Sequence, residues 1–418
     1  MRRFALVMII IVAVIAGAAA ADTYSVAQLI AGIDKSYAIR ESDAAAAGMA
    51  LKKDAVGGAG DLRLGYELMD APNPDMLTHR FSLKQELPLW GKRARRRAAA
   101  GTEEVAARLM KTDRALELRQ ALLGNLIEYY YARRIERIRG EELELLRRFA
   151  ESAKGKYSTG VTTFSALSRA EIEAAQTESM AASMKAMADI AENRVFDLID
   201  LDSGDAAIGL FVPRTRADAI KTLDAPTLYR KALDHLPSLA AAANDIERAK
   251  RDKESAAAEL LPDLMLEFSY SYKPASESPN SFSVGMEINL PALSLSAKNA
   301  EIAMAAKRTE ERTARLAGAK NDLHRSIRKN LAEIADYGRR IDIYEQRIRG
   351  LRTADLDNLL SAYAVDKADF DMVLEALRMR FDAEISDSEN RRSQALALLE
   401  LEYMTGENLV FFEDRRTE

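Results

Sequence analysis

The 418-residue chain contains no cysteine, which removes disulfides, thiolate metal sites, a cysteine nucleophile and a lipidated N-terminal cysteine. The redox compartment stays open, because an exported protein can do without thiols. There are three histidines, His79, His235 and His324, and none has a histidine partner one helical turn away, so no metal site is expected. Neither charge sign dominates: Lys+Arg 60 against Asp+Glu 65 gives a net charge of -5, spread without long blocks, so no nucleic-acid partner is expected. Walker, G-x-S-x-G and G-x-G-x-x-G motifs are missing, and carboxylates are too plentiful for any pair to mark catalysis. Catalytic residues, cofactor-binding residues and cofactors are therefore all expected to be none.

Only 10 prolines and 20 glycines interrupt a chain that is 48% hydrophobic and 30% charged. With abundant Ala, Glu, Arg, Leu and Lys, that is the composition of long helices and coiled coils. The 15 methionines sit mostly singly in helical stretches and read as core filling rather than soft-metal ligands.

The start, "MRRFALVMIIIVAVIAGAAAAD", places Arg2 and Arg3 before an apolar run and ends in Ala19, Ala20 and Ala21 ahead of Asp22. This pattern predicts an export signal over residues 1–21, cleaved after Ala21. The competing reading, a retained anchor, meets an apolar core a little short for a span. Beyond it no apolar run reaches the roughly 18 residues of a transmembrane helix.

Four stretches break the helical pattern. "DLRLGYELMD" (61–70) and "RFSLKQELPLW" (80–90) alternate apolar and polar residues around a turn marked by Pro72, Asn73, Pro74 and Asp75. "DLMLEFSYSYK" (263–273) and "FSVGMEINLP" (282–291) do the same around Pro274, Ser276, Ser278, Pro279 and Asn280. Period-two alternation predicts strands with differently solvated faces, so two β-hairpins are expected, at 61–90 and 263–291.

Each hairpin has the same surroundings. An alanine-rich helix precedes it, and a Leu-Pro corner at Pro88 or Pro291 follows, with Gly91 just past the first. Then comes a long helical stretch, near 92–154 and 297–360, with near-heptad apolar spacing. Roughly 60 residues of helix make a rod on the order of 90 Å. The rods end in related segments, "KYSTGVTTFSALSRA" and "AYAVDKADFDMVLEA", which align Tyr157 with Tyr363, Phe164 with Phe370, Leu167 with Val373 and Ala170 with Ala376. Tip turns near 156–163 and 362–369 and return helices near 165–199 and 370–404 complete the plan. Two structural repeats are expected, 22–210 and 211–418.

The expected fold is mainly α with a small β part. Four strands of membrane length cannot close a barrel, and an open sheet cannot span lipid because its edge groups would be unpaired. The chain must borrow strands from copies of itself; three copies would close twelve. Glu67, Ser82, Lys84, Glu86, Glu267, Ser269, Ser271, Glu287 and Asn289 would line the lumen, with Tyr66, Trp90, Tyr272 and Phe282 at the membrane interfaces. The competing readings are an ordinary two-layer sheet on a helix and a soluble periplasmic coiled-coil adaptor or scaffold. The basic run Lys92, Arg93, Arg95, Arg96, Arg97 reads as a solvated helix start near lipid headgroups rather than an adaptor contact.

These features together, with "LLPDL", "INLPALSLSAKNAEIAMAA" and "LALLELEYMTGENL", resemble the TolC family of outer-membrane efflux proteins over nearly the whole mature chain. "LKQELPLWGKRARRR" (83–97) resembles its heavy-metal branch. The resemblance implies a homotrimer with a twelve-stranded transmembrane β-barrel and a long coiled-coil α-helical barrel, set in the outer membrane of a Gram-negative bacterium with a large periplasmic part. It would be the passive exit duct of a tripartite efflux or secretion system, partnered by a periplasmic adaptor, an inner-membrane transporter and outer-membrane lipid. By position, the adaptor would meet Tyr157, Ser158, Thr159, Gly160, Val161 and Thr162 at one tip, and Tyr363, Ala364, Val365, Lys367 and Ala368 at the other. Asp366 stands where the family has glycine. Asp366, Asp369, Asp371 and Glu375 would form an acidic constriction at the periplasmic entrance, with Asp371 one position off the family's spacing. The competing reading there is a solvated helix face beside Lys367 and Arg378.

Overall fold

The computed structural model describes residues 22–56, 60–69, 77–202, 206–216, 220–273, 280–290, 295–365 and 367–414. The expected signal segment 1–21, both hairpin turns, Pro291 and Asp366 lie outside them. The elements are β1 (Asp22–Tyr24), α1 (Val26–Ile33), α2 (Tyr37–Val56), β2 (Leu62–Met69), β3 (Thr78–Leu87), α3 (Lys92–Ser158), α4 (Phe164–Asp197), β4 (Ala206–Ile208), β5 (Phe211–Thr215) and α5 (Ala225–His235). They continue with α6 (Pro237–Ala258), β6 (Asp263–Tyr272), β7 (Ser281–Asn289), α7 (Leu295–Ile343), a π-helical turn (Tyr344–Ile348), α8 (Arg349–Ala364), α9 (Phe370–Thr405) and β8 (Val410–Asp414). Among the described residues no helix is long and apolar enough to cross a membrane.

Two compact units are built from interleaved segments. One takes residues 41–113 and 236–322, the other 1–40, 114–235 and 323–418. The first holds both hairpins, which join into one antiparallel sheet in the order β2-β3-β6-β7. Its first strand-to-helix corner turns on two successive left-handed residues, Trp90 (φ 60°) and Gly91 (φ 72°). Such a φ is free for glycine and strained for tryptophan, so something must hold Trp90 there. Its indole N–H donates to the Pro262 carbonyl at 2.9 Å. The next residue, Lys92, is 1% exposed and reaches the Leu261 carbonyl and Asp263 Oδ2, both at 2.7 Å, with Glu259 at 3.6 Å. The expectation of a solvated Lys92 is thus corrected: a buried ammonium is tolerable only when its donors are paired, and partners from the approach to β6 supply that pairing.

The second unit is helical, with two small sheets that sequence reading missed: β1 beside β4, parallel, and β5 beside β8, antiparallel. Ser25 caps α1 in a reciprocal capping box with Gln28. A buried cluster toward the tip turns gathers Ile135, Ile138, Leu146 and Phe149 of α3, Leu167 and Ala170 of α4, Leu356 and Tyr363 of α8, and Phe370, Val373, Leu377 and Phe381 of α9. Each large side chain so buried contributes roughly 1.5–3 kcal/mol. The π turn was also unforeseen. Its Glu345 binds Arg391 at 2.6 Å and Arg349 at 3.1 Å, and Tyr344 is buried.

Candidate functional site

The sheet has two chemically distinct faces, and its register shows how they arise. Because directly paired residues share a face, each cross-strand rung is a row on one side. Leu64, Leu83, Phe268 and Val284 form one rung, and Tyr66, Phe81, Tyr270 and Phe282 the next. Between them, pointing the other way, lies Gly65, Ser82, Ser269 and Ser283, flanked by Arg63, Lys84, Glu267 and Gly285 on one side and Glu67, Arg80, Ser271 and Ser281 on the other. All nine residues expected on a wet face fall on this polar side.

Several side chains of the polar face pair across the strands. Lys84 meets Glu267 at 3.2 Å, Arg80 meets Glu67 at 3.6 Å, and Ser269 shares a 2.7 Å hydrogen bond with Ser283. A Cβ on Gly65 would come within 2.5 Å of Ser82 Oγ, so this rung admits nothing larger without a shift of the serine.

Within its unit the apolar face is uncovered: Leu64 is 84% exposed and Phe282 83%. That contradicts an ordinary two-layer sheet, which would bury this face on a helix. From Leu264 to Tyr272 it extends about 27 Å along the strand, which at a barrel tilt of about 40° rises about 20 Å, most of the roughly 25 Å apolar band of outer-membrane barrels. Its two polar intruders are internally paired. His79 Nδ1 lies 2.8 Å from the Tyr66 hydroxyl, and Gln85 donates to the Gly60 carbonyl at 2.7 Å. In hydrocarbon an unpaired polar group costs several kcal/mol, roughly, so this pairing suits a lipid-facing surface. Tyr66, Tyr272 and Phe282 cluster toward the turn end and Trp90 stands at the helix end. β2 and β7 are paired on one side only among the described residues.

At the first tip, α3 ends with Gly160 at φ 75°. The Gly160 and Val161 N–H groups return to the Tyr157 and Lys156 carbonyls at 3.0 and 2.9 Å, a left-handed helix end that glycine accepts readily. Thr163 Oγ1 then accepts from the Ala166 N–H at 3.3 Å and caps α4, a cap that sequence reading passed over. Tyr157, Ser158, Thr159, Gly160 and Val161 are exposed and Thr162 is half-buried.

At the second tip, the Val365 and Lys367 N–H groups both return to the Ala362 carbonyl, at 3.3 and 2.8 Å. Ala364, Val365, Lys367 and Asp369 are exposed and Ala368 half-buried, while Tyr363 is buried. Asp369 occupies the N-cap position of α9 with no side-chain cap bond. Asp371 and Glu375 are exposed one turn apart on α9.

The two tips are stitched together within this unit. Lys156 Nζ donates to the Tyr363 carbonyl at 2.8 Å and sits 3.8 Å from the centre of the Tyr363 ring. Arg169 on α4 donates to both Asp371 oxygens at 3.0 and 3.1 Å, and Arg378 Nε donates to Glu173 at 2.7 Å. Asp371 is therefore drawn to Arg169, while Arg378 turns to Glu173 and not to Asp371. Lys156, adjacent to a named tip residue, was missed because nothing in its spacing signals a partner on the other hairpin. Farther along, burial raises the Glu142 carboxyl above the usual range, with Arg139 at 2.6 Å partly opposing it. Among the described residues no group of His, Asp and Glu side chains is arranged to hold a metal ion.

Residues 228–407 match the family model described as outer membrane efflux protein. No curated protein matches the chain. Solved structures do. The outer membrane protein VceC from Vibrio cholerae is 18% identical with a TM-score of 0.76, covering 90% of this chain and 95% of its own. The outer-membrane channel OprN is 18% identical with a TM-score of 0.75, covering 91% and 89%. CusC, solved in a study of folding and transmembrane channel formation, is 14% identical with a TM-score of 0.77, covering 92% and 93%. At such identities the likeness is one of fold. From residue 228 to residue 407 the sequence thus matches the outer membrane efflux protein family, and nine-tenths of the chain carries the fold of outer-membrane channels.

Proposed function

We propose that this chain is the outer-membrane exit duct of a tripartite efflux or secretion system, a passive conduit and not an enzyme. The observation that carries the reading is the sheet: four strands in register, one face apolar and uncovered within its unit, the other polar and partly cross-paired, with β2 and β7 each paired on one side only among the described residues. Copies of the chain close that edge into a barrel with the polar face inside. The helical unit supports assembly independently, since α4 leaves Ile172, Met180, Met187 and Ile190 exposed on one side, and α9 leaves Met372 and Met379 exposed seven residues apart. Such apolar seams on an isolated chain mark surfaces meant for partner helices. Three copies bring twelve strands together, and the two halves of each chain act as structural repeats.

The tips, with Tyr157, Val161 and Val365 exposed, are the surface offered to a periplasmic adaptor, which links the duct to an inner-membrane transporter. Asp366, Asp369, Asp371 and Glu375 line the entrance, where threefold repetition concentrates negative charge and favours cations. The stretch 83–97 aligns the chain with the heavy-metal branch, with metal ions as the favoured cargo. Export by the signal segment 1–21 delivers it to the outer membrane without a lipid anchor.

The test places one lysine on each face. Val284→Lys should destabilise the membrane-inserted assembly by about 2–4 kcal/mol and deplete it from the outer membrane. Ser283→Lys should insert and change single-channel conductance in planar bilayers. Equal tolerance of both, or a stable monodisperse monomer without detergent, would sink the reading.

A further inference from the structure

The two strand-to-helix corners of the sheet differ in charge, and the difference points to a ligand. After β3 come five basic side chains in six residues, Lys92, Arg93, Arg95, Arg96 and Arg97. After β7, the first turn of α7 offers Lys298 alone, and that side chain turns in to the Glu259 carbonyl. At the first corner Lys92 points inward and neutralises Asp263, while the four arginines stay exposed. Two of them touch carboxylates, Arg96 with Glu259 at 2.6 Å and Arg97 with Asp54 at 3.1 Å. Arg95 instead reaches back to the Trp90 carbonyl at 3.4 Å.

Depth decides what this cluster meets. The arginines occupy the first turn and a half of α3, within about 8 Å of the apolar edge along the helix axis. The headgroup layer beyond the hydrocarbon is roughly 5–8 Å thick. An exposed tryptophan with its N–H anchored marks that boundary. Arginine forks match phosphate oxygens, and the positive end of the α3 dipole adds partial positive charge.

We propose that this corner, once in each copy, docks the phosphodiester of an anionic phospholipid. The patch is discrete, one per copy, because the second corner lacks it. The inference rests on the duct reading, which places the apolar face in lipid.

The test uses the full mature chain in detergent micelles doped with phosphatidylglycerol or phosphatidylcholine, with lipid retention read by native mass spectrometry. The expected result is selective retention of one phosphatidylglycerol per copy. Arg95→Gln with Arg97→Gln should weaken retention by about fivefold per arginine while helix content by circular dichroism is unchanged, and Lys298→Gln should leave it intact. Equal retention of the two lipids, retention surviving the double substitution, or displacement of the lipid by excess inorganic phosphate would each overturn the proposal. So would retention of an acidic peptide in place of lipid. Channels that conduct in pure phosphatidylcholine with no lipid preference would remove this inference and leave the duct standing. Failure to enter any bilayer would remove both.

Discussion

At the first tip Tyr157 and Phe164 are 45% and 65% exposed, their rings 6.0 Å apart. At the second, the aligned Tyr363 and Phe370 are 6% and 7% exposed, and both close on Phe149, with centroids at 5.0 and 4.7 Å. The same aromatic spacing has opposite fates. The cause lies in the long helices: at the alignment offset, the position matching Phe149 is Asp355, so the second half has no ring with which to cover the first tip. One tip completes the core of its own chain; the other leaves its rings exposed.

Truncating the rings tests that contrast most sharply. Phe370→Ala should cost about 3–5 kcal/mol, as deletion of a buried ring does. Phe164→Ala should change the stability of the isolated chain by no more than about 0.5 kcal/mol, measured for both by denaturant unfolding in detergent. Its effect should appear in assembly or adaptor binding instead. Equal costs would mean that the two tips are not distinguished by their packing.

Lys156 comes next in size. It is half-buried, donates to the Tyr363 carbonyl and lies over the Tyr363 ring. Lys156→Met keeps the stem and removes the charge, and should cost about 2 kcal/mol, since a hydrogen bond from a charged group is worth roughly 1.5–3. The matching change at Lys154, which is exposed, should cost nothing measurable.

The contrast also shows what the sequence could and could not reveal. Strand alternation was legible because each strand carries its own period of two, so both faces of the sheet could be read residue by residue. That β3 lies beside β6 could not be read, because pairing of distant hairpins leaves no local trace. The three- and five-residue strands β1, β4, β5 and β8 are too short for a periodic signal. Lys92 looked like its neighbours in a basic run; only the carbonyl of Leu261 and the carboxylate of Asp263 make it an inward residue. The π turn has no glycine or proline to announce it and coincides with the Glu345–Arg391 pair. At the tips, composition identified the turns, but the fates of Tyr157 and Tyr363 depended on a phenylalanine in one rod and an aspartate in the other.

Gly160 sharpens the comparison at smaller amplitude. At φ 75° with open space around its Cα, Gly160→Ala meets no neighbour and should cost about 1–2 kcal/mol from backbone strain alone. At the second tip Val365, with φ -110°, should accept alanine with little change beyond its lost side chain. Thermal unfolding of the two variants measures the difference between a tip built on a left-handed residue and one whose described residues do without it.

The smallest effect belongs to the pair that bridges the tips. Arg169 and Asp371 are each more than half exposed, so water and salt screen their attraction and the pair should contribute less than about 1 kcal/mol. Arg169→Gln should therefore leave unfolding almost unchanged. Its consequence is electrostatic: with Arg169 neutralised, Asp371 keeps its charge without a counter-charge beside Asp369 and Glu375. Cation preference in planar bilayers should rise, most clearly at low ionic strength, where the Debye length is long. Asp371→Asn should lower it, and the double substitution should fall between the two. An unchanged preference in all three would show that this pair lies away from the conducting path, and the acidic constriction would then rest on Asp369 and Glu375.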